Sequence, residues 1–135
     1  MENHYPGGRV DISFFNLDEL LSHADVSVTH PLSKTYLDGA AAKAGSAAEC
    51  REKRKADHYA NVLPAAQHLY PLVMESYGFI APVFRTFLQR VSTAFERRFG
   101  EEGLVEFKVS FLDNLSCALQ QGNALILEEG LRRAI

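Results

Sequence analysis

A chain of 135 residues and 15.0 kDa is the size of one compact domain, large enough to bury a core without metal or disulfide staples, which excludes a multidomain machine. With 47% hydrophobic and 23% charged residues it is not a disordered chain, and no apolar run reaches the roughly 18 to 20 residues that cross a bilayer. A net charge of −3 provides no global field that would draw the chain onto nucleic acid, so any such contact needs a local basic patch.

Pro6-Gly7-Gly8 marks a turn. Behind it, Arg9 to Phe15 alternates as a strand, with Val10, Ile12 and Phe14 on one side and Asp11 and Ser13 on the other. A second strand is predicted from Ala24 to Thr29, where Val26 and Val28 point one way and Asp25, Ser27 and Thr29 the opposite way. The link from Asn16 to His23 fits a helical turn or a hairpin with a long tip, and the hairpin is the reading adopted. From Lys34 to Leu63 the chain is rich in Ala, Glu, Lys and Arg, which makes one helix, or two broken at Gly45, closed by Pro64. His68 to Tyr77 is a nearly continuous apolar run that suits a strand covered on both faces. Ile80 to Phe95 then recurs at helical spacing up to Gly100, and a last helix follows from Leu104, with Gly122 as a weak point. The predicted order is β-β-α-β-α-α, a single α/β domain over 1–135 with 101–135 as a C-terminal helical extension.

Cys50 and Cys117 match neither a CxxC motif nor a disulfide framework, and the N-terminus lacks the pattern of a signal peptide, so the setting read from the sequence is reducing and intracellular. The five histidines never take zinc spacing. Cys117 reads as a small buried apolar residue, Glu75 as a strand-end glutamate facing water, His30 as a turn residue and Phe84, Phe87, Phe95, Phe107 and Phe111 as core.

Asp11 and Asp25 hold corresponding polar positions on neighbouring predicted strands, so pairing would bring the carboxylates together. Two readings are open: strand-end aspartates bonded to nearby turns, or a pair whose repulsion a hard cation such as Mg²⁺ relieves. On a helical wheel Ala48, Glu52, Lys55, Tyr59 and Val62 fall within about 40° of one line, which sets two charges in a core-facing stripe. Either Glu52 and Lys55 pair on a solvated face, or Lys55 reaches over the sheet towards Asp11 and Asp25. Arg51, Arg54 and His58, beside this stripe, make with Lys55 the one concentrated basic surface, a footprint for phosphates or a solvated helix face.

Arg9-Val10-Asp11, thirteen intervening residues, then Asp25-Val26-Ser27-Val28, and a helix bearing Glu52, Lys55 and Tyr59, resemble the restriction-endonuclease-like domain of LINE-type, site-specific non-LTR retrotransposons. Tyr70 to Gly78 and Ala118 to Ala124 also look like downstream sequences of such elements. The resemblance implies a PD-(D/E)xK core: a small central mixed sheet flanked by helices, with the fold's first helix missing, as in the tail of a polyprotein whose reverse transcriptase lies upstream. It implies that Asp11 and Asp25 bind Mg²⁺ or Mn²⁺ and that Lys55 orients or deprotonates the attacking water. Glu52 and Tyr59 would support the site, and Arg51, Arg54 and His58 would contact DNA. Ser27 stands where the parent fold has its lysine, so Lys55 must substitute for it; Val10 replaces the usual proline. The expected activity is a magnesium-dependent DNA endonuclease that nicks target DNA for target-primed reverse transcription, in the nucleus or cytoplasm, with no membrane and no small-molecule cofactor. The alternative is an inactive, truncated fragment that binds nucleic acid or protein weakly.

Overall fold

The computed structural model describes residues 4–5, 8–15 and 20–134. The elements run β1 (His4–Tyr5), β2 (Gly8–Arg9), β3 (Ile12–Phe15), β4 (Leu21–Thr29), α1 (Leu37–Ala42), α2 (Ser46–Ala60), β5 (His68–Glu75) and α3 (Pro82–Ala134). The chain is thus mixed α+β, with one small three-stranded mixed sheet. Its contacts divide it into two compact units, Met1–Phe87 and Leu88–Ile135.

In the first unit the strand order is β3-β4-β5. β3 pairs antiparallel with β4 from Ile12↔Ala24 to Phe15↔Leu21, and β5 runs parallel to β4 from Ser22↔His68 to Thr29↔Glu75. A parallel pair needs a long crossover, and α1 and α2 supply it. Pro71 is tolerated because β5 is an edge strand. The predicted first strand is interrupted: residues 8–9 pair with 4–5 in a separate two-stranded ladder, and Asp11 lies in a bend whose N–H still reaches the Ala24 carbonyl. The tip of the predicted hairpin, 16–19, lies outside the described residues.

The helical stretch is two helices, and Gly45 separates them. Its φ of 82° is the left-handed conformation that glycine adopts without a Cβ penalty, and the Phe79 ring occupies the space where a Cβ would stand. α2 then lies on the sheet face that carries the odd-numbered residues of β4 and β5. Ala48, Val73 and Ala81 form a fully buried cluster there, with Phe79 packed against it. This inverts the expected polarity of β4: His23, Asp25 and Thr29 are buried under the helix, while Val26 and Val28, at 45% and 52% exposure, face outwards. Asp25 finds its partners on α2, and His23 finds its own in Ser13 and Gln67, so polarity alone does not orient the strand. On the opposite face the rings of Phe14, Tyr70 and Phe87 meet at centroid distances of 5.3 to 6.1 Å.

In the second unit the helical run doubles back at Gly100, where φ 78° and ψ −179° lie in a region that only glycine visits readily. Phe95 and Phe107 stack across this bend at 4.6 Å. Gly122, by contrast, stays helical. Phe84 is buried, Phe87, Phe95, Phe107 and Phe111 are half-buried, and Cys117 is exposed rather than buried because its helix has nothing packed over that position among the described residues. No helix among the described residues is long and apolar enough to cross a membrane.

Candidate functional site

The site is built where the β3–β4 ladder ends under the C-terminal half of α2. The register puts Ile12 across from Ala24, so one step further Asp11 stands across from Asp25. Asp11 turns one carboxylate oxygen back onto the sheet, where Oδ2 accepts the Val26 N–H at 2.8 Å. Asp25 points to the helix side, and its Oδ2 meets Lys55 Nζ at 2.6 Å; the carboxylate side chain is 5% exposed and the lysine 19%. Neighbouring α2 residues complete the surroundings. The Tyr59 hydroxyl, one turn on from Lys55, has a single proton to give and two acceptors beside it: the Arg9 carbonyl at 2.5 Å and the Asp25 carboxylate. Burial raises the Tyr59 pKa, and the negative charges of Asp25 and Asp11 push it the same way, which keeps the phenol neutral.

These bonds leave Asp11 Oδ1 over, while Asp25 gives Oδ2 to Lys55 and also stands beside the Tyr59 hydroxyl. Two residues along β4 on the same face, Ser27 Oγ is buried and finds no partner among the described residues. Carboxylate and hydroxyl oxygens are hard donors, and such a set fits a magnesium ion that keeps several waters. Among the described residues no group of three or more His, Cys, Asp or Glu stands together as a metal cluster, so the protein would supply few of the ligands.

Glu52 does not join this site. Its Oε2 accepts the Val83 N–H at 2.9 Å, in the first turn of α3, where an exposed helix N-terminus attracts a carboxylate. It therefore pairs with neither Lys55 nor the aspartates. Burial raises its pKa, the hydrogen bond from Val83 pulls it back, and nearby Glu49 adds to the rise. Glu75 corrects the reading of a water-facing strand end: it is buried, and its Oε1 accepts the Ala48 N–H at 3.1 Å in the first turn of α2. The basic residues lie along α2. Arg51 is half-buried, Arg54 is exposed with its guanidinium 5.7 Å from the Tyr36 ring centre, and His58 is exposed with its ring 5.0 Å from that of Tyr59.

A second polar network escaped the sequence reading. His23 is fully buried, with Nδ1 2.8 Å from Ser13 Oγ and Nε2 2.6 Å from Gln67 Oε1. The Gln67 oxygen can only accept, so Nε2 carries the proton and Nδ1 takes one from Ser13. The signal available in the sequence is the alternation itself, which puts His23 on the face of Asp25. His30, at the exposed end of β4, bonds Ser76 Oγ at 2.7 Å. No protein-family model, curated protein or solved structure matches the chain.

Proposed function

We propose that this chain is a magnesium-dependent DNA endonuclease domain of the PD-(D/E)xK type, from the polyprotein of a site-specific non-LTR retrotransposon. The observation that carries the reading is the meeting of Asp25, Lys55 and Tyr59 under α2, with Asp11 across the ladder and Arg51, Arg54 and His58 along the same helix. Asp11 and Asp25 would hold the ion; when bound, it supplies Lewis-acid polarisation of the scissile phosphate and acidifies the attacking water. Lys55, fixed by Asp25, offsets the charge that develops on the phosphate oxygens, in place of the lysine that Ser27 lacks. Tyr59 holds the Arg9 carbonyl and thereby the segment that leads into Asp11. The cations of Arg51 and Arg54 contact the DNA backbone without reading sequence.

One observation favours a second reading, in which the fold persists without cutting: each aspartate already gives an oxygen to an internal bond, and no third His, Cys, Asp or Glu joins them among the described residues. Nicking of supercoiled DNA by the purified chain separates the two. The expected result is magnesium-dependent nicking that chelation stops and that Asp25→Asn and Lys55→Met each reduce by at least about a hundredfold, with circular dichroism unchanged. Undiminished nicking by folded Asp25→Asn overturns the proposal. A parent chain that neither nicks nor binds magnesium in a calorimeter leaves the second reading.

A further inference from the structure

Beyond the ends of the parallel pair β4 and β5, the first unit carries a cleft of about 300 Å³, at the small end of the range that small-molecule sites occupy. It lies where parallel sheets commonly hold ligands, outside the carboxyl ends of the strands, between the chain leaving β4, the start of the crossover helix α2 and the turn after β5. Pro31, Leu32, Leu37 and Ala40 give it an apolar wall, and the rings of Tyr77 and Phe79 an aromatic one. Leu32, Leu37 and Tyr77 are exposed, so apolar surface there stays in water until something covers it.

One charged side chain lines the cleft: Glu75, which is 5% exposed. Its Oε1 accepts the Ala48 N–H. Oε2 accepts no hydrogen bond among the described residues, and it is not one of their sealed, unbonded oxygens, which belong to Ser27 and Ser46, so it keeps an opening onto the cleft. A carboxylate with so little water around it carries a desolvation cost that a cation relieves. The α2 N-terminus supplies roughly half a positive charge, which leaves roughly half of the carboxylate charge uncompensated. The basic side chains next to the lining residues are committed elsewhere. Lys43, beside Ala44, pairs with Glu49 at 2.7 Å; His30, beside Pro31, bonds Ser76 Oγ; and Arg85 stands 4.9 Å from the Phe79 ring centre and donates to the Ile80 carbonyl.

We infer that this cleft binds a small organic cation, a primary alkylammonium whose nitrogen donates to Glu75 Oε2 and whose chain lies against Leu32, Leu37 and Phe79. None of these residues belongs to the proposed nuclease site, and the inference does not rest on it. Nuclear magnetic resonance titration of the full chain compares n-hexylammonium with n-hexanol, its neutral counterpart, and with ammonium chloride, the charge alone. Hexylammonium is expected to shift the amides of Ala40, Gly45 and Phe79 and to bind at least about tenfold tighter than hexanol, while ammonium chloride shifts none of them. Glu75→Gln keeps an acceptor for the Ala48 N–H and removes the charge, so it should bring hexylammonium down to the affinity of hexanol. Leu32→Ser combined with Leu37→Ser alters exposed side chains only and should weaken both ligands by about tenfold. Equal binding of hexylammonium and hexanol by the parent, binding of neither, the same shifts from ammonium chloride, or a preference for the ammonium that survives in folded Glu75→Gln each overturns the inference. Should Glu75→Gln lose its fold, the leucine pair decides: undiminished hexylammonium binding by that variant overturns the inference as well.

Discussion

Lys55 and Asp25 are the most consequential pair in the first unit because neither side chain is well solvated. A buried carboxylate deprived of its cation keeps its desolvation cost and loses its attraction, whereas replacing both partners with neutral groups removes both terms. Lys55→Met is therefore expected to destabilise the chain by about 3 kcal/mol, and adding Asp25→Asn should return much of that loss, read as a positive coupling in urea unfolding. The approach of Lys55 to the sheet was legible because a charged residue inside an apolar helical stripe has to find a partner. The fates of Glu52 and Glu75 were not. Each carboxylate meets a backbone N–H of a helix remote in sequence, and no periodicity in the chain announces which helix start lies beside which acid. His23 was hidden for a similar reason: its partners, Ser13 and Gln67, come from segments 10 and 44 residues away.

The starts of α2 and α3 are both held from outside: β5 gives Glu75 to α2, and α2 gives Glu52 to α3. Because Glu52 has a raised pKa, the folded state holds its proton more tightly than the unfolded chain. Its contribution to stability is then complete below the ordinary glutamate range and fades as pH rises through the higher folded value. Glu52→Gln keeps an acceptor for Val83 and carries no charge, so it should flatten that part of the stability–pH curve and match or slightly exceed the parent at pH 7. Glu52→Ala, which leaves the Val83 N–H unanswered, should cost about 1 kcal/mol in the same titration. At Gly100 the constraint is the backbone: a Cβ there would meet nothing within 4 Å, yet its φ of 78° with extended ψ strains any other residue. Gly100→Ala is expected to lower stability by about 1 to 3 kcal/mol in denaturant unfolding. The break at Gly100 could be read from the sequence, since it ends an apolar periodicity, whereas the Ala-, Glu-, Lys- and Arg-rich stretch around Gly45 left one helix or two open. The outward turn of Val26 and Val28 could not, because both faces of β4 offer a consistent alternation and only the position of α2 decides between them.

Across the chain, the succession of two strands, a broken helix, a strand and a further broken helix follows from hydrophobic spacing and glycine punctuation, while the pairing of three strands in one mixed sheet is set by the tertiary fold. The pairing of residues 4–5 with 8–9 carries no such signal, since two-residue strands are too short for alternation to register. Division into two units is equally silent in the sequence, because the boundary between Phe87 and Leu88 falls inside an unbroken helical pattern. The exposed thiols turn that division into something measurable. Cys50 lies in α2 of the first unit and Cys117 in the second, and both are accessible. A pair of nitroxide probes attached to them in the otherwise native chain would act as a molecular ruler, reporting through dipolar spectroscopy whether the sheet and the helical arm tumble as one body or swing independently.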